Sequence, residues 1–172
     1  MIKYAVAFKS NNKISEYGSA FEVPEFDSEV FYSAEISTDS FIKLLSMDSS
    51  KYEAYWDSDN QTVNLQKKAY LKLTTDATDN DGDGIPDILA DGSSTAIIYV
   101  KKYNSDDTLD TNFNETIDLA VLRGKLSAIK IILTNGEGQV LLTSAAETVL
   151  SIIRGSYGEL ADGTIQIFFR PS

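Results

Sequence analysis

The sequence contains no cysteine and no histidine among its 172 residues. Without cysteine the chain cannot form a disulfide framework, a thiolate metal site or a thiol nucleophile. Without histidine it lacks the usual general base at neutral pH, the partner of a nucleophilic serine and the commonest zinc ligand. These two absences exclude most hydrolase chemistry, and we expect a protein that is not an enzyme.

Long hydrophobic runs are also missing. The amino-terminal segment MIKYAVAFKSNNK has only a short apolar run between Lys3 and Lys9, which is too short and too polar for a secretory signal. The other apolar runs are too short to span a bilayer. Together with the initiating Met1, these features predict a chain that is made in the cytoplasm, kept soluble and not inserted into a membrane.

Basic residues are scarce relative to acidic ones. The chain has 15 lysines and arginines against 26 aspartates and glutamates, which gives a formal net charge of -11. Such an excess of carboxylates repels phosphate backbones and anionic membrane surfaces, so nucleic acid is not an expected partner. The hydrophobic fraction of 42% nevertheless indicates a globular protein with a core.

The carboxy-terminal part of the chain, residues 69–172, consists of short segments with apolar residues at every second position, separated by turn residues. This alternation is typical of strands with one buried face. An Asn135-Gly136 step between two such segments is a strong hairpin signal. We therefore predict an antiparallel β-sandwich of seven strands: AYLKLTT (69–75), STAIIYVKKY (94–103), ETIDLAVL (115–122), AIKIILT (128–134), QVLLTSA (139–145), ETVLSIIR (147–154) and TIQIFFR (164–170).

The amino-terminal part, residues 1–68, is less uniform. KYAVAFK and EVFYSAEI are strand-like, and KYEAYWD and TVNLQ on either side of SDNQ predict a hairpin. The Thr38-Asp39-Ser40 step before FIKLLSM predicts a short capped helix. We interpret residues 1–68 as a smaller, mostly β docking region.

Two segments of the predicted sandwich resemble bacterial immunoglobulin-like domains of the invasin and intimin type. In that family an Ala-Asp-Gly-x-Ser step leads into the second strand, and an Asn-Gly turn precedes a Val-x-Leu-Thr-Ser strand. The matching positions are Ala90, Asp91, Gly92, Ser94, Asn135, Gly136, Val140, Leu142, Thr143 and Ser144. The resemblance implies an immunoglobulin-like fold over residues 69–172, used as a rigid building block of adhesins, surface proteins or phage virion proteins, without a conserved active site.

The sharpest local motif is DNDGDGIPD, residues 79–87. Calcium binds six to eight hard oxygens, and carboxylates at alternate positions of a glycine-containing loop can point inward together. The spacing is that of an EF-hand loop, and it also looks like the calcium-binding repeats of thrombospondin type 3. The predicted metal ligands are Asp79, Asp81, Asp83, the Ile85 carbonyl and Asp87.

This calcium site has a simpler alternative. Position twelve of an EF-hand loop needs a bidentate carboxylate, and here that position is Ala90. The thrombospondin repeats also occur in tandem with cysteines, which this chain lacks. The alternative is a solvated loop that leads into the next strand.

Weaker candidates are found elsewhere. Asp110, Asn112 and Asn114 alternate in a second acidic loop that lacks the glycine of a sharp turn, so a solvated connection is the simpler interpretation. Glu22 and Glu25 are two carboxylates of the kind a glycosidase uses, although the chain is small for such an enzyme.

Aromatic residues cluster in the amino-terminal part, where Phe31, Tyr32, Tyr52, Tyr55 and Trp56 alternate in predicted strands. Exposed aromatic faces can stack on sugars. At this spacing, however, aromatic side chains more often fill a core or a subunit interface.

The sequence supports three hypotheses about function. The first is a non-enzymatic structural protein of a phage virion, such as a capsid decoration, fibre or tail component, that binds other subunits as a homo- or hetero-oligomer. Exposed edges such as TIQIFFR would then pair with a neighbour by β-augmentation. The second is a calcium-dependent adhesion module, secreted or on a cell surface, and the third is an acidic hydrolase.

Overall fold

The computed structural model describes residues 2–8, 10–20, 23 and 31–171, with the backbone alone for residues 31–34. The chain divides into two compact units, Met1–Lys68 and Ala69–Ser172. No helix among the described residues is long and apolar enough to cross a membrane.

The first unit contains a three-stranded antiparallel sheet, a two-stranded antiparallel hairpin and one helix. Its strand β2 was not predicted, because ISEYGSA carries polar or small residues at most positions and shows little alternation. The elements are β1 (Ile2–Phe8), β2 (Ile14–Ala20), β3 (Phe31–Glu35), α1 (Thr38–Leu45), β4 (Tyr52–Asp57) and β5 (Thr62–Lys67).

The N-cap of helix α1 is Ser37, one residue before the predicted Thr38-Asp39-Ser40 step. The Ser37 side chain accepts a hydrogen bond from the Ser40 amide at 3.1 Å, which satisfies one of the free N–H groups of the first turn. Asp39 in the first turn and Lys43 in the last both complement the helix dipole. Leu44 is fully buried and belongs to the core of this unit, so one apolar face fixes the helix on the strands.

The second unit consists of a four-stranded sheet in the order β10-β12-β8-β6 and a five-stranded sheet in the order β11-β9-β13-β14-β7. All ladders are antiparallel except that of β7 with β14. The strands are β6 (Tyr70–Thr75), β7 (Asp87–Leu89), β8 (Thr95–Tyr103), β9 (Thr116–Val121), β10 (Lys125–Leu126), β11 (Lys130–Ile132), β12 (Glu137–Thr143), β13 (Val149–Ser156) and β14 (Gly163–Arg170).

The two sheets bury one continuous core between them. Alternate residues of each long strand face inward, and Ile98, Leu142, Ile153 and Phe169 are completely inaccessible to solvent. Each such side chain contributes about 1.5–3 kcal/mol through burial. The predicted immunoglobulin-like β-sandwich is confirmed. The strands β7 and β10 were missed because two or three residues are too few to show a period.

The Asn135-Gly136 step forms the predicted tight turn, and Thr134 and Glu137 pair across it, but the flanking strands do not continue the predicted hairpin. Both residues have positive φ, 54° and 79°, as a two-residue turn of this type requires. The strands on either side belong to different sheets, since β11 pairs with β9 and β12 pairs with β8. Leu133 is fully buried, and a Cβ on Gly138 would lie 2.7 Å from its Cδ2. The turn is therefore a corner between the sheets.

The predicted edge strand TIQIFFR is not an edge. It forms β14, which pairs with β13 on one side and, through Phe168–Arg170, with β7 on the other. The parallel partner β7 follows the acidic loop and was not predicted, so the sequence left this side of β14 open. β-Augmentation at these three residues is excluded because their backbone is already paired.

Candidate functional site

The acidic loop of residues 79–86 is closed at its base by a short bridge. The Asp87 amide donates a hydrogen bond to the Thr78 carbonyl at 2.9 Å. Gly82 and Gly84 have φ values of 80° and 91°, a region that L side chains rarely adopt. The two glycines therefore let the loop turn back on itself, so that residues at its two ends come together.

Three of the predicted ligands lie close together at this base. Carboxylate oxygens of Asp79, Asp81 and Asp87 lie within 4.8 Å of one another. The Asp83 carboxylate is not in this group and accepts a hydrogen bond from the Ile85 amide at 2.8 Å. The arrangement provides a patch of hard anionic oxygens, the ligand type that calcium prefers.

Asp79 also holds the loop together from inside. Its two carboxylate oxygens accept hydrogen bonds from the amides of Gly82 and Gly84, each at 2.8 Å. The Gly84 amide contributes most to lowering the pKa of Asp79 below its ordinary value. The carboxylate is thus ionised at neutral pH and shapes the loop without a cation.

Asp87 is the buried member of the group, with 5% of its surface exposed. Its two oxygens accept hydrogen bonds from the backbone and side-chain N–H groups of Asn80, both at 2.8 Å. The backbone N–H of Asn80 contributes most to lowering the pKa of Asp87. Arg170 Nε lies 2.6 Å from Asp87 Oδ1 as an ion pair, without the alignment of a hydrogen bond. This cation compensates the one carboxylate of the group that water does not reach.

The second acidic loop uses its polar side chains internally. Lys102 Nζ donates to Asp110 Oδ2 at 2.6 Å and to Asn104 Oδ1 at 2.9 Å, and the ammonium group contributes most to lowering the pKa of Asp110. Asn114 Oδ1 accepts a hydrogen bond from the Asn135 amide at 2.9 Å. Asp110 thus belongs to no metal-like group of acidic side chains among the described residues, and the side chain of Asn114 is used for a hydrogen bond to the backbone.

The aromatic cluster is only partly described. The side chains of Phe31 and Tyr32 lie outside the described residues. Trp56 is buried in the core of the first unit, while Tyr52 is 39% exposed. Tyr55 is half-buried and donates a hydrogen bond to Glu53 at 2.7 Å. The cluster is therefore divided between core and surface, and Trp56 is not available for stacking on a sugar. Glu22 and Glu25, the glycosidase candidates, also lie outside the described residues.

An apolar surface on the outer face of the five-stranded sheet was not predicted. It consists of Leu122, Leu150, Ile152 and Phe168, and we call it the outer apolar surface. Leu122 is 61% exposed and the other three are half-buried. Leu150 and Phe168 are cross-strand partners, and the Leu122 amide donates to the Ile152 carbonyl at 3.0 Å. The signal was present in VLSIIR, where the outward positions are as apolar as the inward ones.

The outer apolar surface borders the acidic loop. Ile85 and Pro86 of the loop line one depression together with Ile152, Thr164 and Gln166. The acidic loop and the outer apolar surface therefore form one continuous region of the second unit, with charge at one end and apolar side chains at the other.

Comparison with known proteins gives matches only among solved structures. No family model matches the sequence. No curated protein matches it either.

The similar structures include two glycosyl hydrolases of family 2. One, from Bacteroides cellulosilyticus DSM 14838, is 11% identical with a TM-score of 0.51 and covers 96% of this chain. The other, a beta-glucuronidase, is 16% identical with a TM-score of 0.51 and covers 99% of this chain. The chain spans only 22% and 18% of the length of these two proteins. The likeness therefore concerns the fold.

The D0-D1 domain of intimin is also similar, at 14% identity and a TM-score of 0.45, with 98% of this chain and 82% of that one covered. The immunoglobulin-like fold that the sequence resemblance implied is confirmed by the two facing sheets themselves.

Proposed function

We propose that this chain is a non-enzymatic structural protein of a phage virion, a capsid decoration, fibre or tail component that works through protein–protein interfaces. The observation that carries the proposal is the outer apolar surface. A solvent-facing group of large apolar side chains on a soluble sheet is typical of an interaction site. In an assembly, a neighbouring subunit covers such a surface permanently.

The first unit supports the proposal as a second attachment point. The helix α1 packs Leu44 into the core but leaves Ile42 56% and Leu45 62% exposed on its other side. A short helix with apolar residues on both faces suits docking to another subunit. Residues 1–68 would thus retain the docking role that the sequence suggested.

The carboxyl groups of the candidate site support a role without acid–base catalysis. A general acid at neutral pH needs a raised pKa. Four of these carboxyl groups have lowered pKa values, and a hydrogen-bond donor is the chief cause in each case. The donor is the Gly84 amide for Asp79, the Asn80 amide for Asp87 and the Ser94 amide for Asp91. For Asp110 it is the ammonium group of Lys102. Carboxylates held in this way stay ionised and act as acceptors.

Calcium at the acidic loop is a further part of the proposal. Asp79, Asp81 and Asp87 would supply the first oxygens, with Asp83 and the Ile85 carbonyl joining after the loop rearranges. An ion would relieve the repulsion among the grouped carboxylates and stiffen the loop beside the outer apolar surface. The same site would serve the alternative function, a calcium-dependent adhesion module on a cell surface.

The experiment that tests the main proposal is purification from infected cells and from particles. We expect the chain to be found with capsid or tail proteins. When it is purified together with its partner subunit only, light scattering should show oligomers. A stable monomer that associates with no particle protein would contradict the virion proposal. Its recovery on the surface of an uninfected cell would favour the adhesion module.

A further inference from the structure

The corner at Asn135-Gly136 combines a chemically reactive sequence with an unusually complete set of hydrogen bonds. In an Asn-Gly step, the glycine amide nitrogen can attack the Asn side-chain Cγ, because glycine has no side chain to block the approach. Asn135 is exposed while Gly136 is buried. The electrophile is thus accessible to water and the nucleophile is not.

Both backbone polar groups of Gly136 are hydrogen-bonded. Its N–H donates to the Phe113 carbonyl at 2.8 Å, and its C=O accepts from the Lys102 amide at 2.9 Å. The Asn135 amide donates to Asn114 Oδ1 at 2.9 Å. Attack on Cγ requires the Gly136 nitrogen to give up its hydrogen bond to the Phe113 carbonyl and to approach Cγ by rotation about ψ and χ1 of Asn135, which the hydrogen bonds on both sides of these bonds resist. The native corner therefore blocks the reaction.

The acceptors of the Asn135 and Gly136 amides belong to one connection, residues 104–114, which lies between β8 and β9, while the Lys102 amide that holds the Gly136 carbonyl belongs to β8 itself. Lys102 anchors this connection: its side chain is buried, pairs with Asp110 and Asn104, and lies 5.6 Å from the Phe113 ring centroid. The Asp110 amide also donates to the Lys102 carbonyl at 3.0 Å. Release of this connection would remove the partners of both Asn135 and Gly136 at once.

We propose that Asn135 is a deamidation site that the native corner protects and that reacts when the connection of residues 104–114 opens. The Gly136 nitrogen forms a bond to Asn135 Cγ, the bond from Cγ to the side-chain nitrogen breaks, and ammonia leaves carrying the former Gly136 proton. Water then opens the cyclic imide at either carbonyl and gives aspartate or isoaspartate. Water is the only co-reactant.

The modification cannot be reversed by closing the corner again. Isoaspartate adds a methylene to the backbone of a two-residue turn that joins the two sheets, so the bond from Gly136 to Phe113 cannot form again in its native geometry. Either product also adds a negative charge beside the acidic connection. The covalent change thus accumulates in molecules whose corner has opened.

The test measures aspartate and isoaspartate at residue 135 by peptide mapping after incubation at neutral pH. Folded protein is expected to deamidate roughly tenfold or more slowly than the same chain in denaturant, because only the open population reacts. Lys102→Met is expected to raise the rate in folded protein several-fold. Lys130→Met is the matched control, since Lys130 forms an exposed ion pair with Asp118 at 2.7 Å away from the connection.

Two further measurements keep the proposal open to refutation. Asn114→Ala removes the side-chain acceptor of the Asn135 amide and is expected to accelerate deamidation even if Lys102→Met does not fold. Equal rates in folded and denatured wild-type protein would overturn the protection. A folded Lys102→Met or Asn114→Ala variant that deamidates at the wild-type rate would overturn the role of the connection.

Discussion

Ser144 Oγ donates a hydrogen bond to Asp91 Oδ1 at 3.3 Å, which joins two segments 53 positions apart in the chain. The same carboxylate accepts from the amides of Ser93 and Ser94 at 2.7 and 2.6 Å, and the Ser144 amide donates to the Ser94 carbonyl at 2.8 Å. The two sequence patterns that resemble bacterial immunoglobulin-like domains therefore meet in space. Their shared residues therefore stabilise the fold.

We expect Asp91→Ala to lower the melting temperature more than Ser144→Ala, because the first substitution removes the acceptor of all the hydrogen bonds from Ser93, Ser94 and the Ser144 hydroxyl. Ser144→Ala removes one donor and leaves the backbone bond to Ser94 intact. The measurement is thermal unfolding by circular dichroism at neutral pH. Equal effects of the two substitutions would show that the bridge to Ser144, and not the turn at Asp91, provides the stabilisation.

Stability should fall at acidic pH. The amide of Ser94 contributes most to holding the pKa of Asp91 well below its ordinary value, and Asp79 and Asp87 are shifted in the same direction. In the unfolded chain the pKa of each of these carboxyl groups is about 3.9. Below that pH the unfolded state binds more protons than the folded state, so the contribution is complete above about pH 4 and is lost as the pH falls toward the folded pKa values.

The check for this pH dependence is a series of melting curves from neutral pH down to strongly acidic pH. Asp91→Asn should be less stable than the wild type at neutral pH, and the difference should shrink as the pH falls. A difference that stays constant through the acidic range would contradict the assignment of this pH dependence to Asp91.

The sequence predicted the sandwich well because six of its strands are long enough to show alternation against a buried face. It failed where neighbouring strands, and not local pattern, decide the structure. The alternation in AIKIILT correctly places Leu133 on a buried face. Nothing local in AIKIILTNGEGQV shows that the chain changes sheets after it, so the corner looked like a hairpin. Likewise β7 exists because Asp87–Leu89 lies beside β14, a pairing that depends on residues about 80 positions away.

The candidate site, too, could be predicted from the sequence only in part. The alternation of Asp79, Asp81 and Asp83 correctly indicated a tight loop, but which oxygens converge depends on backbone hydrogen bonds that the spacing does not determine. Asp83 turns to the Ile85 amide instead of joining the group. The pairing of Asp87 with Arg170 required the parallel ladder of β7 and β14, so no sequence pattern could indicate it.

Gly124 should not tolerate a side chain. It has a φ of 79°, and an added Cβ would lie 2.6 Å from the Thr143 carbonyl oxygen and 2.8 Å from Phe169 Cζ. We expect Gly124→Ala to destabilise the protein by about 2–4 kcal/mol through backbone strain and overpacking together. Gly158→Ala is the control, since its φ is 50° but no atom lies within 4 Å of the added Cβ. Equal losses in urea unfolding would assign the whole effect to backbone strain.

Calcium should raise the melting temperature if the acidic loop binds it. A ligand that binds only the folded state stabilises by RT ln(1 + [L]/Kd), or about 2.7 kcal/mol at a hundredfold excess over Kd. The measurement compares melting curves with calcium and with chelator. Asp81→Asn should abolish the response, while Asp106→Asn, in the other acidic loop, should retain it. An unchanged midpoint in the wild-type protein would remove calcium from the proposal.

The outer apolar surface should be needed for assembly and not for folding. Leu122 is 61% exposed, so Leu122→Glu should change the free energy of unfolding by no more than about 0.5 kcal/mol, as is usual for surface substitutions. A buried interface, by contrast, would place the new carboxylate against apolar atoms, and truncating or charging a central contact there costs about 2 kcal/mol or more.

Leu141→Glu introduces the same charge on the four-stranded sheet, where Leu141 is 41% exposed. We expect Leu122→Glu to be lost from purified particles and Leu141→Glu to be incorporated, with both proteins melting close to the wild type. Incorporation of both variants at the wild-type level would show that the subunit contact lies elsewhere, for example at Ile42 and Leu45 of α1.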